Sequence, residues 1–246
     1  MMTFSLIIPA YNEQSYIEKC LKSVKFLKIP SGESLEVIVV NNASTDKTEE
    51  VARMALPEAK IIREPKKGLT RAYNRGAIEA KGEILIFVDA DTILSPDHLE
   101  KLSREFAKEP KLVALSGPCA YRDGGKFCEA ALFFTYLFLA TPAEIIFNRW
   151  LNIGASIVTG NSAVKKEAFD KIGGFNENIF YGLEPEFGRR IRKLGRVRFK
   201  RRLGAESSAR RFKKEGVFLI LGRYTMDNIC QHLFKKSFPR DYIDIR

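Results

Sequence analysis

Residues 84–92 read Ile-Leu-Ile-Phe-Val-Asp-Ala-Asp-Thr, an unbroken apolar run that ends in two carboxylates around one alanine. With Lys81-Gly82 ahead of it, the run reads as a strand buried on both faces, as in a parallel sheet covered by helices. Working outward, three similar runs precede it: residues 4–8 (FSLII), ended by Pro9; 35–40 (LEVIVV), followed by two asparagines; and 60–63 (KIIR). Between them, residues 13–26, 46–55 and 70–80 carry apolar side chains at helical spacing. Strands alternating with helices at about 25-residue intervals predict an α/β chain whose first half is of the nucleotide-binding type. Downstream the spacing predicts helices over 95–108 (Ser95 as cap, Pro96 at the first position), 127–148, 167–171, 185–194 and 217–234, and a strand over 111–117.

The 246 residues are 45% hydrophobic and 29% charged, which excludes a disordered chain, a collagen and a disulfide-stapled miniprotein. The four cysteines, at 20, 119, 128 and 230, form no CxxC pair and fit reduced thiols of a cytosolic protein. The first eleven residues lack a basic leader region, so no secretory signal is expected. The longest uncharged apolar stretch, residues 130–143, is 14 residues long, against the roughly 20 needed to span a bilayer.

Net charge is +11, and its distribution is uneven. Residues 189–214 hold 13 Lys or Arg against one acid, Glu206. Such a block points to an anionic partner, a membrane surface or a phosphorylated substrate, or else to a solvated basic face. Nucleic acid is disfavoured, because only Phe199 and Phe212 are there to stack on bases.

Ligands of doubly wound sheets bind beyond the carboxyl ends of the strands. Three polar clusters fall there: Ala10-Tyr11-Asn12-Glu13, Asn41-Asn42-Ala43-Ser44 and Asp89-Ala90-Asp91. Two carboxylates at a strand end suit Mg²⁺ or Mn²⁺ that also holds a diphosphate, although alone they equally fit a solvated turn.

Six motifs in order carry a resemblance over residues 4 to about 200: 5–13 (SLIIPAYNE), 37–48 (VIVVNNASTDKT), 68–76 (GLTRAYNRG), 87–92 (FVDADT), 160–177 (GNSAVKKEAFDKIGGFNE) and 182–195 (GLEPEFGRRIRKLG). The chain resembles the inverting family 2 glycosyltransferases of the GT-A fold. The resemblance implies a Rossmann-like, mostly parallel central sheet flanked by helices. It implies a catalytic domain over 1–216, with a nucleotide-sugar-binding half (1–92) and an acceptor half (93–216), and a C-terminal amphipathic helix and tail over 217–246. It implies that Pro9, Ala10, Tyr11 and Glu13 line the nucleotide and that Arg71 contacts base or diphosphate. Asp89 would approach ribose and metal, Asp91 would bind Mg²⁺ or Mn²⁺ directly, and Gly160 and Asn161 would shape the sugar pocket. Asn42 stands where the family usually has an aspartate on the base, which leaves UDP-, GDP- and dTDP-sugars open as donors.

An inverting displacement needs one carboxylate to take the acceptor proton. Where the family carries an acidic pair, this chain has Leu183-Glu184-Pro185-Glu186; Glu184 aligns with the base and Glu186 is second candidate. His98 reads as surface structure, and residues 206–208 lack the histidine that some GT-A enzymes add as a metal ligand. His232 would reach the site only if the last helix folded back. Trp150 falls outside the Gln-x-x-Arg-Trp pattern of processive synthases, which favours transfer of one sugar. The basic block and last helix fit a peripheral protein at the inner face of the cell membrane, with a lipid-linked or glycan-precursor acceptor. Packing of the apolar segments on the body or in a homodimer is the competing expectation. A basic adaptor with a degenerate site and a sugar-1-phosphate nucleotidyltransferase are the other function classes; the Gly-rich phosphate loop of the latter is missing after the first strand.

Overall fold

A computed structural model describes residues 1–125, 157–179 and 183–233. The apolar stretch at 130–143, Cys128, Trp150, the tail beyond 233 and the side chain of His232 lie outside the described residues. The strands are β1 (Thr3–Ala10), β2 (Ser34–Asn41), β3 (Lys60–Arg63), β4 (Ile84–Val88), β5 (Ile93–Leu94), β6 (Leu112–Ser116), β7 (Cys119–Ala120), β8 (Asn161–Lys165), β9 (Arg196–Phe199) and β10 (Ala205–Glu206). The helices are α1 (Ile17–Lys25), α2 (Thr48–Ala55), α3 (Leu69–Glu79), α4 (His98–Lys108), α5 (Lys166–Lys171), α6 (Leu183–Ile191), α7 (Arg210–Glu215) and α8 (Val217–Leu233).

Seven strands form one sheet in the order β3-β2-β1-β4-β8-β6-β9. Only β8 runs antiparallel to its neighbours, β4 and β6. β1, β2 and β4 are therefore parallel, and their polar carboxyl-end residues emerge at the same edge. Alternation along β1 divides the core. Phe4, Leu6, Ile8 and Ala10 meet Ile17, Leu21 and Val24 of α1 and Leu99, Leu102 and Phe106 of α4 on one face. Ile7 meets Ala72, Tyr73 and Ala77 of α3 on the other, together with Phe87, Phe169, Phe175 and Phe187. Gly76 lets α3 settle on the sheet, since a Cβ there would lie 2.3 Å from the Ile7 methyl.

The rings of Tyr73, Phe87, Phe175 and Phe187 interlock, with centroids 4.4 Å apart for Phe175–Phe187 and 5.1 Å apart for both Tyr73–Phe87 and Phe87–Phe175. Each buried ring contributes about 1.5–3 kcal/mol by leaving water. This cluster ties α3, β4, the 173–177 loop and α6 into one rigid floor beneath the strand ends.

A second, three-stranded sheet orders β5-β10-β7. It joins the chain just after Asp91 to Ala205–Glu206, with Glu206 opposite Ile93. Residues far apart in the sequence are brought to the acidic turn in this way.

Two expectations are corrected. α4 begins at His98, because Ser95-Pro96-Asp97 form a turn in which the Ser95 hydroxyl donates to Asp97 rather than capping the helix. His98 is buried, not a surface group, and burial pushes its pKa down to about 4, so it is neutral at physiological pH. Part of the basic block is matched by acids. Arg190 pairs with Glu186, Arg196 and Arg198 with Glu109, Lys200 with Glu105, and Arg210 with Glu13 and Asp91. None of the described cysteines is in a disulfide. Among the described residues no helix is long and apolar enough to cross a membrane.

Candidate active site

Asp89 and Asp91 sit on the turn that follows β4. The Asp89 carbonyl accepts the Thr92 amide at 3.0 Å and the Cys20 thiol at 3.7 Å, which pins the turn to α1. The Tyr73 hydroxyl donates to the Asp89 carboxylate at 2.7 Å, so the aromatic floor orients this side chain. Gly160 lies against it: a Cβ there would come within 2.3 Å of Asp89 Oδ2. The glycine is required by close approach, and Gly160→Ala is expected to swing the Asp89 carboxylate away and lower kcat/KM at least about tenfold, with little change in Tm. Steady-state kinetics beside a melting curve check this; unchanged kcat/KM would mean that Asp89 has no fixed position to keep.

Asp91 accepts a bond from the Ser207 hydroxyl at 3.2 Å and an ion pair from Arg210 at 3.1 Å. Among the described residues no three His, Cys, Asp or Glu side chains gather into a metal site. A divalent ion at Asp91 would therefore take its remaining oxygens from a diphosphate and water, as Mg²⁺ commonly does.

Glu184 enters from the first turn of α6 and accepts the Thr159 hydroxyl at 3.1 Å. Burial pushes its pKa above the ordinary value of 4.5, and the nearby Asp89 charge adds to the rise. A carboxylate beside the acidic turn can accept the proton of an acceptor hydroxyl. Glu186 is occupied differently. Only 7% exposed, it holds Arg190 through two bonds of 2.6 and 2.8 Å, and Arg190 also donates to the Ile172 and Gly174 carbonyls.

The nucleotide-side residues divide likewise. Pro9 and Ala10 are buried, and Ala10 acts through its carbonyl, which accepts the Asn42 amide and the Ser44 hydroxyl. Tyr11 carries Lys67, whose Nζ lies 3.8 Å from the ring centroid. Glu13 is 1% exposed and faces Arg210. Arg71 pairs with Glu177 at 2.8 Å on the rim. Asn42 donates to the Glu64 and Lys66 carbonyls at 3.1 and 2.8 Å and accepts the Gly68 amide at 2.8 Å. Its amide is thus spent holding the 64–68 loop, which gives a physical reason for Asn over Asp: a carboxylate cannot donate to two carbonyls. Asn161 likewise spends its amide on the Pro118 and Leu203 carbonyls and supports the pocket from behind. An open groove of about 690 Å³ lies one strand over, between Asn41, Ser44, Glu49, Arg63 and Glu64, and flanks this loop.

Sequence reasoning missed Tyr73, Thr159, Ser207 and Arg210. Tyr73 lay within a recognised motif and Thr159 beside one. Arg210 was hidden among the 13 cations of the basic block.

Residues 5–173 match the model of Glycosyl transferase family 2. The chain belongs to this family. It is 32% identical over 136 residues to the putative glycosyltransferase EpsH of Bacillus subtilis (strain 168), covering 54% of this chain and 38% of that protein. It is 30% identical over 196 residues to the glycosyltransferase AglE of Haloferax volcanii, covering 78% of this chain and 62% of that one. The chain thus spans less than two thirds of either relative. Among solved structures it is similar to the mannosyltransferase PcManGT from Pyrobaculum calidifontis in complex with GDP-Man and Mn2+, with a TM-score of 0.70 and 24% identity over 96% of this chain and 66% of that one. It is also similar to S. aureus TarS 1-349 in complex with UDP-GlcNAc, with a TM-score of 0.66 and 18% identity over 84% of this chain and 58% of that one. At these identities the structural likeness establishes the GT-A fold.

Proposed function

We propose that this protein is a metal-dependent, inverting glycosyltransferase that moves one sugar from a nucleoside-diphosphate sugar to an acceptor hydroxyl. The observation that carries the reading is Glu184, a carboxylate of raised pKa placed beside the Asp89–Asp91 turn and free of the ion pair that occupies Glu186. Residues 1–92 serve as the donor half and 93–216 as the acceptor half, with 217–246 appended.

The donor lies over the carboxyl ends of β1, β2 and β4. Tyr11 and the loop stapled by Asn42 flank its base, and Gly160 leaves room beside Asp89 for ribose and sugar. Asp91, with Asp89 beside it, would hold Mg²⁺ or Mn²⁺. The fit rests on oxygen-only donors and on Asp91 already being met by a cation, Arg210. When bound, the ion supplies Lewis-acid stabilisation of the departing diphosphate. Glu184 takes the proton of the acceptor hydroxyl as its oxygen bonds to the anomeric carbon from the face opposite the leaving group, which inverts that centre. The solved relatives hold GDP-Man with Mn2+ or UDP-GlcNAc, so GDP- and UDP-sugars are the first donors to test.

The acceptor is proposed to be presented at an anionic membrane surface. Phe218 and Leu219 are exposed near the start of α8, a few residues after Lys213 and Lys214. Flotation with anionic vesicles tests this, and absence of binding at low salt would remove it.

The donor reading is tested by thermal stabilisation with UDP-, GDP- and dTDP-sugars, each with Mn²⁺ or EDTA. The matching donor at about 100 times its Kd should stabilise by about 2.7 kcal/mol. That gain should vanish with EDTA and in Asp91→Asn. A gain equal in EDTA would overturn the metal assignment, and no gain with any donor would favour a non-catalytic adaptor.

A further inference from the structure

Arg210, a member of the basic block, reaches the acidic turn itself. Its guanidinium makes two bonds to Glu13, of 2.7 and 2.5 Å, and one ion pair to Asp91 at 3.1 Å, and it stacks 4.4 Å from the centroid of Tyr16. The contacts are built, not incidental. β10 pairs with β5 immediately beyond Asp91, so the chain leaving Glu206 must pass over that carboxylate. Ser207 then bonds Asp91, while Ser208 and the Ala209 amide are held by Asp123 at 2.8 and 2.6 Å, and Arg210 opens α7. Glu13 is almost wholly buried and ionised acids in such places need a cation; the forked guanidinium meets it with two charge-assisted bonds. The contact with Asp91 is single and longer.

We propose that Arg210 is a resident cation of the unloaded site: it shares Asp91 with, and yields it to, the incoming divalent ion. It remains anchored on Glu13 and turns its freed edge to the donor's diphosphate. This inference rests on the proposed function, since it takes Asp91 as a metal ligand. The reason is electrostatic. A guanidinium and a divalent ion on one carboxylate repel each other at close range, so the weaker single contact is the one released. A diphosphate beside the ion supplies the anion to which a planar guanidinium is suited. Glu13 then acts on the donor through Arg210 and not by touching it.

The inference predicts effects of opposite sign, which a merely structural arginine would not produce. Removing the resident cation should help metal binding and hurt nucleotide binding. Arg210→Ala should bind Mn²⁺ alone about tenfold more tightly than wild type, read from the free-ion signal in electron paramagnetic resonance, a typical size for coupling between sites. The same variant, with each protein first saturated with Mn²⁺, should bind UDP or GDP about tenfold more weakly by calorimetry. Arg210→Lys keeps the charge without the fork and should fall between the two in both assays. Unchanged Mn²⁺ affinity, or both ligands weakened together, would overturn the proposal. If Asp91→Asn abolishes Mn²⁺ binding while Arg210→Ala matches wild type, the metal assignment stands and only the role of Arg210 falls. If neither wild type nor Arg210→Ala binds Mn²⁺ even with nucleotide present, both fall.

Discussion

Glu184→Gln should lose between about 10²- and 10⁴-fold in kcat, the usual contribution of a positioned general base. Donor affinity should stay within about twofold, because the amide still accepts the Thr159 hydroxyl and leaves the acidic turn untouched. The pH profile sharpens the test. A base must be deprotonated, and burial has raised the Glu184 pKa above 4.5, so wild-type kcat should fall as pH drops through that raised value. The variant should lack that acid limb. Stability carries a second sign. Between 4.5 and its folded value, native Glu184 holds a proton that the unfolded chain has released, so stability declines as pH rises through that window. Glutamine removes the decline, and the variant's Tm at neutral pH should equal or exceed that of wild type. A kcat within a few-fold of wild type would move the base elsewhere.

Glu186→Gln should do the reverse, losing about 2–4 kcal/mol of stability while the folded enzyme keeps its kcat within a few-fold. Breaking a buried ion pair costs about 3–5 kcal/mol, reduced here because Arg190 keeps a quarter of its side chain in water. For a chain of this size that is about 6–12 °C in Tm. Arg190 is the hub: besides Glu186 it holds the Ile172 and Gly174 carbonyls, fastening the 173–177 loop to α6. Losing its acid leaves a half-buried cation facing two carbonyls and the Phe187 ring. Melting curves and steady-state kinetics on the pair of variants separate the two roles; an inactive but fully stable Glu186→Gln would exchange them.

The two glutamates show what the chain's local patterns reveal. Their spacing from Leu183 and their place in a motif marked both as candidates. Which one is engaged in an ion pair depends on Arg190 and on carbonyls of a loop more than ten residues away, and no local pattern encodes that. Asn42 is similar. Its position at the end of β2 was evident, but its work is to bond Glu64, Lys66 and Gly68, over 20 residues on. His98 was misread because a helix periodicity tells which residues share a face, not which face a distant segment covers.

The sequence by itself determined the α/β class, the four parallel strand starts, the Asp89–Asp91 turn at a strand end and the family. Those follow from short-range patterns: apolar runs, their spacing and ordered motifs. Tertiary structure alone decided that Tyr73 aims Asp89, that Gly160 must lack a side chain, and that Arg210 reaches Glu13 from nearly 200 residues away. Each of these depends on which strands pair across the sheets. Pairing of β10 with β5 is a long-range contact of two residues per strand, too short to leave a periodic signature, yet it delivers the basic segment to the acidic turn.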